Sequence, residues 1–129
     1  MEPARLRARL WIDACLTVCR AEAVPATVLA KGDSDAGSVL LKWRHPEGKG
    51  SVLAPMTNLD GDRIWRPATG AEPVPESDCD AYWQRQRDRD PDLWVLEIES
   101  RELWHPLGEP MEGIAAPEPS PADALFRRR

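Results

Sequence analysis

The chain has 129 residues, 42% of them hydrophobic and 30% charged, with a formal net charge of −5. This length and composition describe one globular domain, and no apolar run approaches the roughly 20 residues that cross a bilayer, which argues against a membrane-spanning role. The acidic balance disfavours a nucleic-acid partner, because phosphate binding needs a basic footprint.

Residues 4–22 read as the first helix, with Leu6, Leu10, Trp11, Ala14, Cys15 and Val18 on one broad side at three- and four-residue steps. Arg5, Arg7, Arg9 and Asp13 interrupt any apolar centre, so a secretory leader is not expected and the cytoplasm is the default compartment. Pro25 ends the helix, and a strand follows over 26–31. Residues 38–44 alternate Val39, Leu41 and Trp43 with Leu40, Lys42 and Arg44, the period-two pattern of a half-buried strand. Pro46 to Gly50 is turn chemistry, and residues 51–56 return as the second arm of a hairpin. A short strand is expected around Ile64 and Trp65, then a Pro- and Gly-punctuated link over 67–75.

A second helix is expected over 75–89, with Ser77-Asp78-Cys79-Asp80 as its cap and Cys79, Tyr82, Trp83 and Gln86 as its packing face. Glu76 and Asp78 suit its positive end, and Arg85, Arg87 and Arg89 its negative end. Residues 93–99 read as a strand with Trp94, Leu96 and Ile98 on one face. Leu103-Trp104-His105 is expected as a further edge strand. From Gly108 the chain carries Pro110, Pro117, Pro119 and Pro121, a Pro-rich tail expected to be disordered. The expectation is an α+β single domain over 1–107, with a tail over 108–129. Its order is helix, antiparallel meander, helix, strand, in a mixed sheet with two helices packed on it.

Several segments together resemble DUF1491, a bacterial family of unknown function. They are Leu10-Trp11, the Gly32-Asp33-Ser34-Asp35-Ala36-Gly37 turn, Pro73-Val74-Pro75-Glu76, Tyr82, Arg85-Gln86, Asp90-Pro91-Asp92-Leu93-Trp94, Glu97-Ile98-Glu99, Arg101 and His105. The chain departs from that pattern at Arg89, where an aromatic is expected, and at Trp104-His105-Pro106. The resemblance implies a compact α/β-type domain and no known reaction.

Glu97 and Glu99 are the residues most suggestive of chemistry. On a strand they point the same way, about 6.6 Å apart, a spacing at which two carboxylates can share a divalent metal or divide acid and base roles. With Asp33 or Asp35 and Lys42 they make a candidate acidic site for metal-assisted phosphodiester hydrolysis. The element order also resembles restriction-endonuclease-type nucleases, but the third strand, Ser51 to Met56, lacks the charged pair that chemistry requires. The competing expectation is that Glu97 and Glu99 pair with Lys42, Arg44 or Arg66 across an exposed sheet face.

Asp33-Ser34-Asp35-Ala36-Gly37 fails as a calcium loop, because position twelve would be Arg44. It is expected to be a turn, with Gly32 and Gly37 supplying unusual dihedrals and a secondary role as a ligand or partner contact. Cys15, Cys19 and Cys79 lack disulfide or zinc spacing, even with His45, and read as buried hydrophobes, so no metal and no cofactor is expected. Trp11, Trp43 and Trp94 fit a core, whereas Trp65, Trp83 and Trp104 are candidates for an exposed anchor patch. Leu125 and Phe126 could anchor a docking peptide in the tail. The functional expectation is a non-catalytic module that binds a protein partner; the alternative is the metal-dependent hydrolase.

Overall fold

A computed structural model describes residues 7–112 of the chain. The expected helical start at residues 4–6 and the tail beyond Glu112, with Leu125 and Phe126, lie outside the described residues. The chain forms helix α1 (Ala8–Ala21), strands β1 (Ala26–Ala30), β2 (Val39–His45), β3 (Lys49–Thr57), β4 (Arg63–Pro67) and β5 (Val74–Pro75), helix α2 (Glu76–Arg89) and strand β6 (Trp94–Glu99). None of these helices is long and apolar enough to cross a membrane.

The fold is α+β, and its sheet order is β1-β6-β2-β3-β4, with β5 paired to the start of β3. All neighbours are antiparallel except β2 and β6, which run parallel, so the sheet is mixed. The meander therefore consists of β2, β3 and β4, because β6 slots between β1 and β2. The parallel register sets Lys42 opposite Glu97 and Arg44 opposite Glu99.

Alternation along the strands builds two cores. Val39, Leu41, Trp43, Trp94, Leu96 and Ile98 face α1, where they meet Trp11, Ile12, Cys15 and Cys19. Leu40, Val52, Leu93 and Val95 face the other way, against Cys79, Tyr82 and Trp83 of α2. The sheet is thus covered on both sides, and β2 is buried rather than half-buried: Lys42 keeps only 2% of its surface exposed. α1 is rotated from the expected face, with Ala8, Trp11, Ile12, Cys15 and Cys19 buried and Leu10 54% exposed. Ala8, Cys15 and Cys19 are small enough to let the helix lie close to the sheet.

Three local expectations change. The α2 cap is Pro75 with no side-chain hydrogen bond, so Ser77 lies within the helix and the carboxylate of Asp80 is free for other partners. Gly32 and Gly37 do not adopt positive φ; a Cβ on either would collide with the carbonyl oxygen of Asp92, so they are needed for close approach. Leu103-Trp104-His105 forms no strand. Met111 instead bridges Trp65 at the outer edge of β4, where Trp65 N donates to Pro110 O (2.9 Å) and Glu112 N to Trp65 O (2.8 Å). Residues 108–112 of the expected tail thereby lie against the sheet.

Candidate functional site

Three arrangements of polar side chains stand out. The first lies between the sheet and α2. The ammonium of Lys42 donates to Asp80 Oδ1 (2.7 Å), Glu97 Oε2 (2.8 Å) and Glu76 Oε2 (2.9 Å), which uses all three of its hydrogens. Burial alone would lower the pKa of this amine, but hydrogen bonds to Asp80, Glu97 and Glu76 outweigh it and raise the value above the ordinary lysine range. Glu76 is in turn held below the usual carboxylate range, first by its bond from Lys42 and then by Arg44. Arg44 sits with its Nε 2.9 Å from Glu76 Oε2 and its Nη1 2.9 Å from Glu99 Oε1. Trp83 Nε1 donates to the same oxygen of Asp80 that Lys42 uses (3.0 Å). The cluster fastens the first turns of α2 to β2 and β6.

Glu97 and Glu99 thus do pair with Lys42 and Arg44, but beneath a helix rather than on an exposed face, and Arg66 takes no part among the described residues. Asp33 and Asp35 do not join them. Asp33 accepts from the backbone N–H groups of Ala36 (2.7 Å) and Asp35 (3.0 Å), which holds its carboxyl below the usual range, Ala36 first. Its carbonyl accepts from Trp94 Nε1 (2.7 Å), which places this loop on the α1 side of the sheet. Among the described residues, no group of three or more His, Cys, Asp or Glu side chains is arranged to hold a metal ion. The lysine ammonium occupies the centre where the carboxylates converge. All three cysteines are free and buried, and burial pushes the Cys79 thiol up to about 11.

The second arrangement lies where α1, β4 and the C-terminal segment meet. Trp11 and Trp65 stack with centroids 5.4 Å apart, and His105 packs against both at 5.7 and 5.1 Å. Glu109 accepts from Trp65 Nε1 (2.7 Å), Trp11 Nε1 (3.2 Å) and Arg63 Nε (3.3 Å). The guanidinium of Arg63 lies 5.3 Å from both indole centroids. His105 Nδ1 accepts from the N–H groups of Leu107 (3.1 Å) and Glu109 (3.4 Å), so the neutral ring carries its proton on Nε2. Burial drives the His105 pKa down to about 4, with nearby Glu109 opposing and Arg63 assisting. Burial would raise Glu109, yet the two indoles and Arg63 hold it ionised, below its ordinary value. Trp65 is therefore interior and cannot serve as an exposed anchor. Trp83 and Trp104 are half-buried, on the α2 and α1 sides respectively.

The third arrangement is a hollow of about 380 Å³ beside that cluster, within the range of small binding sites. Its walls come from the start of α1 (Arg7, Ala8, Trp11), the loop from Asp35 to Ser38, the end of β3 (Pro55, Met56, Thr57) and Arg63. Arg7 Nη1 donates to Asp35 Oδ1 across the rim at 3.4 Å. The three large apolar side chains left exposed among the described residues are Leu10, Met56 and Leu59. Met56 lines the hollow, Leu59 is at the tip of the β3–β4 hairpin, and Leu10 is one turn beyond Arg7 on α1. Of the residues singled out from sequence, only Asp35 and its loop reach this place. Arg63 and Glu109 carried no sequence signal, because one sits in a loop-flanked strand and the other in a Pro-rich run.

No curated protein matches the chain. The DUF1491 family, described as proteins of unknown function, matches residues 6–108. A crystal structure of a DUF1491 family protein from Caulobacter crescentus CB15 superposes with TM-score 0.75 at 38% identity, covering 84% of this chain and 100% of that one. An NMR structure of a DUF1491 family protein from Caulobacter crescentus CB15 gives TM-score 0.73 at 37% identity, with 85% and 99% covered. A solution structure of an A. tumefaciens protein shares the fold at TM-score 0.69 and 24% identity, with 87% and 100% covered. The matched span takes in both helices, all six strands and the His105 turn, and on that extent the chain belongs to the DUF1491 family.

Proposed function

We propose that the chain is a non-catalytic accessory module of the cytoplasm that binds a protein partner through the end of the domain around the hollow. The observation that carries this reading is the hollow itself, with the exposed side chain of Met56 in its wall and the exposed Leu59 at the tip of the adjoining β3–β4 hairpin. Exposed apolar side chains gathered at a polar-rimmed hollow are the common form of an interaction surface. The charges around buried Lys42 support the same view, since Lys42, Glu76, Asp80 and Glu97 satisfy one another and hold α2 in place. The hydrolase reading needs Asp33 or Asp35 beside Glu97 and Glu99, and the loop that carries both lies on the other side of the sheet.

The test is capture by the immobilised chain from a lysate of its own cells, comparing wild type with M56E/L59E. Both substitutions fall on exposed residues, so folding should be unchanged, which a urea melt verifies. A partner retained by wild type and by an Arg85→Glu control on α2, but lost from M56E/L59E, supports the reading. Equal retention by all three sinks it.

A further inference from the structure

Resting on that reading of the face, we propose that the partner presents an acidic peptide segment, and that one of its carboxylates enters the hollow between Arg7 and Arg63. In the unbound protein Asp35 pairs with Arg7 at the rim of that place.

The two guanidinium groups differ in a useful way. Arg63 is held in position: its Cζ lies 5.3 Å from the centroids of both Trp11 and Trp65, and its Nε donates to Glu109. Its terminal nitrogens make no hydrogen bond among the described residues, so four of the five N–H donors of the side chain are unspent. A guanidinium fixed by stacking loses little freedom when it binds a carboxylate, which favours the bidentate geometry arginine supplies. Arg7 is the exposed member. Its only acidic partner among the described residues is Asp35, at 3.4 Å, with both side chains 70% exposed. Such a pair is weak and readily exchanged. Arg7 thus already holds a carboxylate at the rim, and a ligand carboxylate deeper in the hollow would take it over.

The walls define the rest of the ligand. Trp11, Val39, Pro55 and Met56 offer apolar surface beside the two cations, which suits an acidic residue flanked by aliphatic ones. A lone small anion would leave that apolar wall uncovered, whereas an extended segment lying in the hollow would cover Met56, itself 39% exposed. A nucleic acid fits poorly, because Asp35 lines the rim and Asp60 and Asp62 stand on the adjoining hairpin in a chain of net charge −5.

The experiment is titration of the ¹⁵N-labelled full chain with acetyl-Ala-Leu-Glu-Leu-Ala-amide and with its Gln counterpart, following the amides of Ala36, Gly37 and Thr57. The Glu peptide should bind saturably at these positions, and the Gln peptide about five- to tenfold more weakly, the loss expected for one partly exposed charge-assisted contact. Arg7→Gln should weaken the Glu peptide by a similar factor. Asp35→Asn should tighten it about twofold or more, an improvement that a merely structural role for Asp35 would not produce. Arg63→Lys keeps the charge and the packing of the stem, and should still weaken binding because the stacked fork is lost. Equal binding of both peptides, no saturable shift with either, or an Asp35→Asn variant that binds no better overturns the proposal. If Arg7→Gln still captures the cellular partner while M56E/L59E does not, the face stands and the carboxylate subsite falls. If M56E/L59E captures normally, both fall.

Discussion

Lys42→Met keeps an unbranched stem of similar length and removes the cation at the centre of three carboxylates. Glu76, Asp80 and Glu97 would then crowd one another with no counter-ion, while their own exposure of 28%, 38% and 18% lets water reach them. Breaking a fully buried pair from one side costs about 3–5 kcal/mol; partial hydration of these carboxylates reduces that here to about 2–4 kcal/mol. The assay is urea unfolding of wild type, Lys42→Met, Glu97→Gln and the double variant, with a coupling of about 1–3 kcal/mol expected between the two positions. Acidity supplies the internal check. In wild type, Glu76 titrates below its unfolded value of 4.5, so its contribution is present above 4.5 and is lost as pH falls through the lower folded value. In the variant, Glu76 loses the Lys42 bond that chiefly lowers it, so this acid-labile contribution is already gone and the deficit shrinks as pH falls toward about 4. A loss under about 1 kcal/mol at neutral pH, or a deficit unchanged by acid, would refute the idea that this cluster pins α2 to the sheet.

The neutral, buried His105 should make the whole domain acid-sensitive. Its folded value of about 4 lies below the ordinary 6.5, so the unfolded chain binds the extra proton, and stability falls as pH drops from 6.5 to about 4. The window is worth about 3 kcal/mol, with Glu109 adding to the loss below 4.5. Chemical denaturation at a series of pH values would show this, His105→Phe should flatten it, and a flat wild-type curve contradicts it. Gly37→Ala should destabilise by about 2–4 kcal/mol, because the new methyl meets the Asp92 carbonyl and the indole of Trp94. A thermal melt within a degree of wild type would show that the loop yields without cost.

Much of the architecture was legible because it rests on periodicity. The two-residue alternation of 39–44 and 93–99 predicted neighbouring strands, and the register of Lys42 with Glu97 and Arg44 with Glu99 bears that out. Alternation does not reveal that a charged face will be covered. Lys42 read as solvated, yet α2 lies over it, and only the placing of Glu76 and Asp80 at the start of that helix hinted at the counter-charges. The face of α1 was misread by including Leu10, since the broad apolar side left its rotation open until the packed positions Ala8, Ile12 and Cys19 were known. Glu109 was invisible in a stretch read as tail, because nothing local marks a carboxylate that two distant indoles will bind. The hollow is assembled from three regions far apart in the chain, the start of α1, the Asp35 loop and the β3–β4 hairpin, and no spacing rule joins Arg7 and Asp35 to Met56 and Arg63.

The proposed binding end is where α1, the Asp35–Ser38 loop and the β3–β4 hairpin meet. Quantitative recovery of cellular partners by wild type, M56E/L59E and Arg85→Glu, each shown to be folded, tests it most directly. M56E/L59E alone should lose at least about tenfold in recovery. Recovery unchanged in M56E/L59E but lost in Arg85→Glu would contradict it and move the functional face to α2.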